Sequence, residues 1–360
     1  MTAKNIASPT APAAPSDATS STRAPDSEHR DPHLDSLLSK QGVAKNVFEA
    51  KTDILSLEEV MEALDAALEL PPLKALQEVV RRLGLPRLQH TFRRLLTSRE
   101  DRVIDEFGYD EKFLEPLLPI LKWLHDNYFR VESQGLEHVP DSGRALLVAN
   151  HSGTLPYDGA MVAAAVRFQH PARRHVRILV EDFTYHLPYL GMFFSRVGAV
   201  RACQENALRL LERDHVTLVF PEGVKGIGKL FSKRYRLQRF GRGGAVRLAA
   251  GSNAPMIPVA IVGAEESMPL LSKVSWLAKP LGIPYIPITP TLPWLGLAGF
   301  IPFPTKWTID FGRPIDLSAY GPGELERDRV ALNRVNEELR AAVQALIDAR
   351  LQSRKSVLFG

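Results

Sequence analysis

ALLVANHSGTLPYDGAMVAAAVR, residues 145–167, decides the fold. Ala145 to Asn150 form a short apolar run of strand length with no polar alternation. His151 to Asp158 then bring Gly153, Pro156 and polar side chains, the chemistry of a turn. Gly159 to Arg167 is alanine-rich with Met161, Val162 and Val166, and reads as a helix. A fully apolar strand followed at once by a helix is the unit of a sheet buried on both faces. Outward from it, RILVED (177–182), HVTLVF (215–220) and PMIPVAIVG (255–263) are further buried-strand runs, and KWTIDFG (306–312) alternates like a fifth strand. Helical stretches at Glu205–Arg213 and about 243–250 lie between them. The pattern predicts an α/β fold with a largely parallel central sheet flanked by helices.

Further out, the texture changes at both ends. Residues 1–50, rich in Ala, Pro, Ser and Thr, bury too little apolar surface to offset chain entropy and are expected to form a disordered tail. Residues 51–130 are expected to be a helical layer. Ser56 and Glu59 have capping-box spacing, Pro71-Pro72 divides one helix from the next, and Phe113, Leu117, Leu121, Leu124 and Tyr128 mark a helix over about 111–129. Residues 131–318 form the main domain. Residues 319–360 hold a long amphipathic helix, Glu324 to Leu351, and a short tail.

Composition excludes several classes. A single cysteine, Cys203, permits no internal disulfide and fits a reducing, cytoplasmic setting. Net charge is only +4 among 360 residues, so no nucleic-acid partner is expected. No leading apolar stretch reads as a signal peptide. The uncharged segment 283–304 is interrupted by Pro284, Pro287, Pro290 and Pro293, which break a spanning helix. A protein of this kind meets a membrane, if at all, from its surface.

Three features carry chemistry. His151 stands just past a strand end, where open α/β sheets place their sites, and Asp158 is spaced to accept its imidazole N–H and fix the tautomer. The alternative is a turn histidine with an aspartate opening the next helix. Glu222, in Phe220-Pro221-Glu222-Gly223, is held on rigid backbone and can bind a hydroxyl-bearing substrate or brace a catalytic loop. Its alternative is an exposed turn. Between Gly223 and Arg247 stand Lys225, Lys229, Lys233, Arg234, Arg236, Arg239, Arg242 and Arg247 with no acid among them. Such a cluster suits phosphate groups or anionic headgroups, or is a solvated basic loop. Gly223 to Lys229 imitates a phosphate-binding Walker loop, but Leu230 replaces the magnesium-holding hydroxyl and no clear helix follows. Asn150 occupies the first glycine position of a nucleophile elbow, which removes Ser152 as a nucleophile. No Cys/His metal pattern is present.

Taken in order, these blocks resemble the glycerolipid (phospholipid/glycerol) acyltransferase superfamily over about residues 131–315. NHSGTLPYDG is similar to the family's His-Asp motif, with six residues between His151 and Asp158 where four are usual. FFSRVGAVR (193–201) resembles the block that holds an acceptor-binding arginine, here Arg196 or Arg201. FPEG and Ile257-Pro258-Val259-Ala260 are similar to the third and fourth blocks. Segments such as RYRLQRFGRGGAVRLA also resemble the diacylglycerol acyltransferase branch.

The resemblance implies transfer of a fatty acyl group from an acyl thioester, acyl-CoA or acyl carrier protein, to a glycerolipid hydroxyl. The acceptor is a lysophosphatidate (1-acylglycerol-3-phosphate) or, in the alternative, diacylglycerol or another neutral alcohol. It implies His151 as general base, oriented by Asp158, with no cofactor or metal beyond the donor. Gly153 is placed near the thioester oxygen, and Glu222, Gly223, Lys225 and an arginine of the second block contact substrate. Segment 283–304, with Tyr285, Trp294 and Phe300, is expected to line an acyl tunnel or rest on the bilayer. The enzyme is then peripheral to the inner face of the membrane. A reading of another class is a non-catalytic protein that binds anionic membrane.

Overall fold

The computed structural model describes residues 103–152, 155–186, 190–276, 278, 282–321 and 323–358. The expected tail and residues 51–102 of the expected helical layer lie outside them, as does Gly153.

The strands are β1 (Glu132–Gln134), β2 (Ala145–Ala149), β3 (Val176–Val180), β4 (Val200–Arg201), β5 (Val216–Val219), β6 (Met256–Val262), β7 (Ser272–Val274), β8 (Ile286–Ile288) and β9 (Thr308–Phe311). One sheet takes the order β1-β9-β6-β2-β5-β3-β4, and β7 pairs with β8 apart from it. Every residue of β2, β5, β6 and β9 is buried. Each predicted apolar run forms a strand within a residue or two of its expected ends. β6, β2, β5, β3 and β4 run parallel, whereas β9 is antiparallel to β6 and parallel to β1. The sheet is therefore mixed at one margin and parallel where the candidate site stands.

The two-residue period of a strand sorts the core into two layers. Leu146 and Val148 of β2, with Met256, Ala260 and Val262 of β6, face a cluster supplied by α3 (Gln204–Glu212), α4 (Gly244–Ser252) and α5 (Arg329–Ser353). Ala145, Leu147 and Ala149, with Ile257, Val259 and Ile261, face α1 (Tyr157–Gln169) and the buried Phe129 and Trp307. The short α2 (Leu190–Arg196) leads into β4. Leu332, Val335, Leu339, Val343 and Ile347 of α5 are all buried, spaced as one helical stripe.

Two predicted helices are more broken than expected. Over 111–128 the chain passes through α-helix (Glu111–Leu114), 3-10 helix (Glu115–Leu117), α-helix (Leu118–Trp123) and a π turn (Leu124–Tyr128). Pro116 and Pro119 lack the N–H groups that continuity needs. The C-terminal helix does not run unbroken from Glu324. A turn at Glu324–Arg327 ends at Asp328, whose extended backbone starts α5 and whose carboxylate accepts the N–H groups of Val330 and Ala331. Val330, an apolar residue of the predicted amphipathic helix, faces solvent. Among the described residues no helix is long and apolar enough to cross a membrane.

Candidate active site

Parallel strands bring their C-terminal ends to one edge. His151 follows β2 there, Glu181 follows β3, and Glu222 follows β5. Neighbouring strands lie about 4.8 Å apart, so the three loops converge. His151 Nδ1 is 2.6 Å from Asp158 Oδ2, across all six intervening residues. That oxygen also accepts the Ser152 N–H at 3.0 Å, while Oδ1 accepts the Gly159 N–H at 2.7 Å. Asp158 is 1% exposed at the start of α1, where its charge also complements the helix dipole. As a carboxylate it only accepts, so Nδ1 must carry the proton and Nε2 keeps its lone pair. Nε2 has no hydrogen-bond partner among the described residues, and Phe220 stacks on the imidazole at 4.2 Å. The pair holds one imidazole in one tautomer with its basic nitrogen free.

Glu222 holds the backbone of this site. It is 4% exposed, with Oε1 accepting the His151 N–H at 3.0 Å and Oε2 accepting the Gln238 N–H at 2.6 Å. Its negative charge is met by Lys229, whose Nζ lies 3.5 Å from Glu222 Oε2 and 3.0 Å from Glu265 Oε1. Burial pushes the Glu265 carboxyl above its ordinary range, and Lys229 pulls it back. Both Glu222 oxygens are spent on backbone, so its geometry is that of a brace for the His151 turn. Lys229, expected within the exposed basic cluster, is buried as the centre of this triad. The Gly223–Lys229 loop turns through a short helix, Val224–Ile227. Gly226 makes that approach possible. A Cβ there would stand 2.7 Å from His151 Cβ and 2.8 Å from Glu222 Cβ.

Of the remaining predicted residues, Gly223 has φ +55°, and a Cβ on it would meet Glu181 Oε1 at 2.9 Å. Lys225, two residues further on, is exposed. Arg201 sits on edge strand β4, three strands from β2 and so roughly 14 Å across the sheet. Asp182 grips it in a bidentate ion pair at 2.6 and 2.8 Å. Arg196 closes α2 with its guanidinium 5.3 Å from the Phe113 ring centre. The structure therefore gathers His151, Asp158, Glu222 and Gly223 and places Arg201 across the sheet in an ion pair of its own, while Arg196 lies on Phe113 with its Nη1 buried and without a hydrogen-bond partner among the described residues. Glu181, which the sequence did not single out, has a carboxylate beside Gly223 without an ion pair or hydrogen bond among the described residues. Asn150, also missed, is fully buried and ties β2 to β6 through Ile261 N–H and C=O, at 2.7 and 3.0 Å.

The proline-rich segment divides. Tyr285 is buried, whereas Trp294, Leu295, Phe300, Ile301 and Phe303 are exposed, Trp294 by 74%. Tyr157, next to Asp158, donates to the Phe300 carbonyl at 3.5 Å, which ties this apolar stretch to the His-Asp turn.

Residues 130–262 match the model of the family described as Acyltransferase, a span that includes His151, Asp158, Glu222 and Gly223. An uncharacterized protein of Mycobacterium leprae is 43% identical over 261 residues, covering 72% of this chain and 71% of its own. One of Mycobacterium tuberculosis is 42% identical over the same length, covering 72% and 73%. A Bos taurus protein named "DGAT1/2-independent enzyme synthesizing storage lipids" is 24% identical over 220 residues, 60% of this chain and 59% of its own. Among solved structures, the 1-acyl-sn-glycerophosphate acyltransferase PlsC of Thermotoga maritima aligns with TM-score 0.43 and 16% identity, over 74% of this chain and 89% of that one.

Proposed function

The chain belongs to the acyltransferase family, and we propose that it moves a fatty acyl group from an acyl thioester to a glycerolipid hydroxyl with His151 as general base. The observation that carries this reading is the 2.6 Å contact between His151 Nδ1 and Asp158. It leaves Nε2 free to take the acceptor's proton as the hydroxyl oxygen attacks the thioester carbonyl. The carbonyl–sulfur bond then breaks, and the thiolate leaves and takes up a proton. No acyl-enzyme is needed. Glu222 keeps the histidine backbone in place, and Asp158 stabilises the imidazolium as it forms. Gly153 is proposed near the thioester oxygen, and Gly223 and Lys225 as acceptor contacts. Replacing His151 with alanine is expected to lower transfer in a purified assay with acyl-CoA by about 10²–10⁴-fold, the usual worth of a positioned base. Undiminished transfer would remove His151 from this role.

A specific observation favours the neutral acceptor over the lysophosphatidate. Arg201 is held by Asp182 on the far strand β4, and a carboxylate, Glu181, stands beside Gly223. A phosphate monoester brought there is repelled by this carboxylate, offset by Lys225 alone, whereas diacylglycerol or another neutral alcohol meets no such repulsion. The storage-lipid enzyme named among the relatives is in keeping with this reading. Mass spectrometry of an acceptor panel with one labelled acyl-CoA distinguishes the two.

The acceptor is a lipid, and we place the Trp294–Phe303 stretch on the membrane surface. Burying about 60 Å² of each ring at about 25 cal/mol per Å² contributes about 1.5 kcal/mol, roughly tenfold in binding. Replacing Trp294 and Phe300 together with serine is expected to weaken vesicle sedimentation by more than about tenfold while sparing transfer to a detergent-dispersed acceptor. Unchanged sedimentation would exclude this surface.

A further inference from the structure

At the C-terminal edge of the sheet, on the α4–α5 side, a cavity of about 510 Å³ is lined by Arg239, Arg242, Arg247, Arg329, Leu332 and Asn333. Four arginines from two separate parts of the chain line it, with no carboxylate among the lining residues. Among the described residues none of the four is ion-paired, so the charge gathered there is not offset by a neighbouring carboxylate. Gathering four like charges is unfavourable unless an anion is to share them.

The frame of the cavity is fixed. Asn336 of α5 donates to the Phe240 carbonyl at 3.1 Å, and Leu332 packs so closely on Gly243 that a Cβ there would stand 2.8 Å away. Arg247 donates to the Arg242 carbonyl at 3.2 Å. The N-terminus of α4 opens between these arginines without a side-chain cap, and nothing lies within 4 Å of where a Gly244 Cβ would be. Its first-turn N–H groups add donors to the guanidinium forks. The N-terminus of α5, by contrast, is already capped by Asp328. The same segment is tied to the candidate active site, with Gln238 N–H on Glu222 and Gly241 N–H on the Pro221 carbonyl.

We propose that this cavity is a binding site for a multiply charged phosphate ester. Planar guanidinium groups bind phosphate bidentately, four of them exceed what one phosphate monoester needs, and the volume lies within the ordinary range for a small ligand. The phosphate can belong to a soluble nucleotide, such as the head of an acyl-thioester donor, or to an anionic lipid headgroup. The site does not depend on the role given to His151.

Titration calorimetry on the full chain tests it with two probes, adenosine 3′,5′-bisphosphate and vesicles of phosphatidate in phosphatidylcholine. The variants are Arg329→Gln and the double R242Q/R329Q, both at exposed positions. We expect at least one probe to bind and the double variant to weaken it by about tenfold or more, with Arg329→Gln intermediate and the melting temperature unchanged. The bisphosphate responding identifies a soluble phosphate ester, and the vesicles responding identify a headgroup. His151→Ala is expected to bind like the wild type, which separates this result from that of the transfer assay. No binding of either probe, or equal binding by wild type and both variants, would overturn the proposal. If the double variant does not fold, Arg329→Gln alone must still weaken binding for the proposal to stand.

Discussion

Asp158→Asn is expected to lower kcat by about 10²–10⁴-fold, some 3–5 kcal/mol of transition-state stabilisation, with KM little moved. Asparagine keeps the size and shape of aspartate, so α1 and its start should survive. The hydrogen bonds do not. In the native site all three donors, His151 Nδ1–H, Ser152 N–H and Gly159 N–H, point at carboxylate oxygens. An amide offers one oxygen and one NH2 in their place. With the NH2 toward His151, the imidazole must present Nδ1 as an acceptor, its proton moves to Nε2, and the proposed base can accept nothing. With the oxygen toward His151, the NH2 opposes the Gly159 N–H, and the neutral amide no longer stabilises an imidazolium. Either orientation removes an interaction that strengthens only as the proton moves, so the loss belongs in kcat. Steady-state kinetics with a thermal melt of the same sample decide it. Turnover near the wild-type value in a folded variant would show that Asp158 only starts the helix, the blander of the two readings of its position.

The pairing of His151 with Asp158 was legible because both residues lie in one loop, between a strand and a helix that the apolar pattern marks clearly. Much else in the site was not, and the reason is distance along the chain. Lys229 read as one member of a basic run, because the residue that claims it, Glu265, lies 36 positions on behind a strand. Arg201 read as a free phosphate ligand, because Asp182 sits on the loop after the neighbouring strand. Gly226 was one glycine in a loop that imitates a nucleotide motif, and only its closeness to His151 Cβ gives it a purpose. Glu181 was the end of an apolar run, and its place beside Gly223 follows from strand order, which apolar periodicity does not encode. The same limit applies to the fold. The long buried runs announced β2, β3, β5 and β6, whereas β1, β4, β7 and β8 have two or three residues each, too few to set a period. The reversal of β9 is a property of its neighbours, and alternation reads the same in either direction.

Lys229→Met is expected to destabilise the protein by about 3–5 kcal/mol near neutral pH, the usual cost of leaving a buried charge unpaired. Methionine fills much the same space, so a cavity is not the cause. What remains is two carboxylates, Glu222 and Glu265, at 4% and 6% exposure with no cation between them. Burial already raises the Glu265 carboxyl with the lysine present, and without it the shift grows in the same direction. A folded-state pKa above the unfolded value means that the folded variant binds the extra proton. Its stability is then best below the unfolded carboxylate value, about 4.3, and is lost as pH rises through the folded one. The deficit against wild type should therefore shrink on mild acidification, in urea melts run across pH. Adding Glu265→Gln removes one of the stranded charges, so the double variant should be less destabilised than the sum of the two singles. Activity should fall with stability, because Glu222, once repelled, releases the His151 N–H that it holds at 3.0 Å. A Lys229→Met protein within about 0.5 kcal/mol of wild type, with no pH dependence of the difference, would mean that Lys229 adds nothing to the hold on the His151 turn.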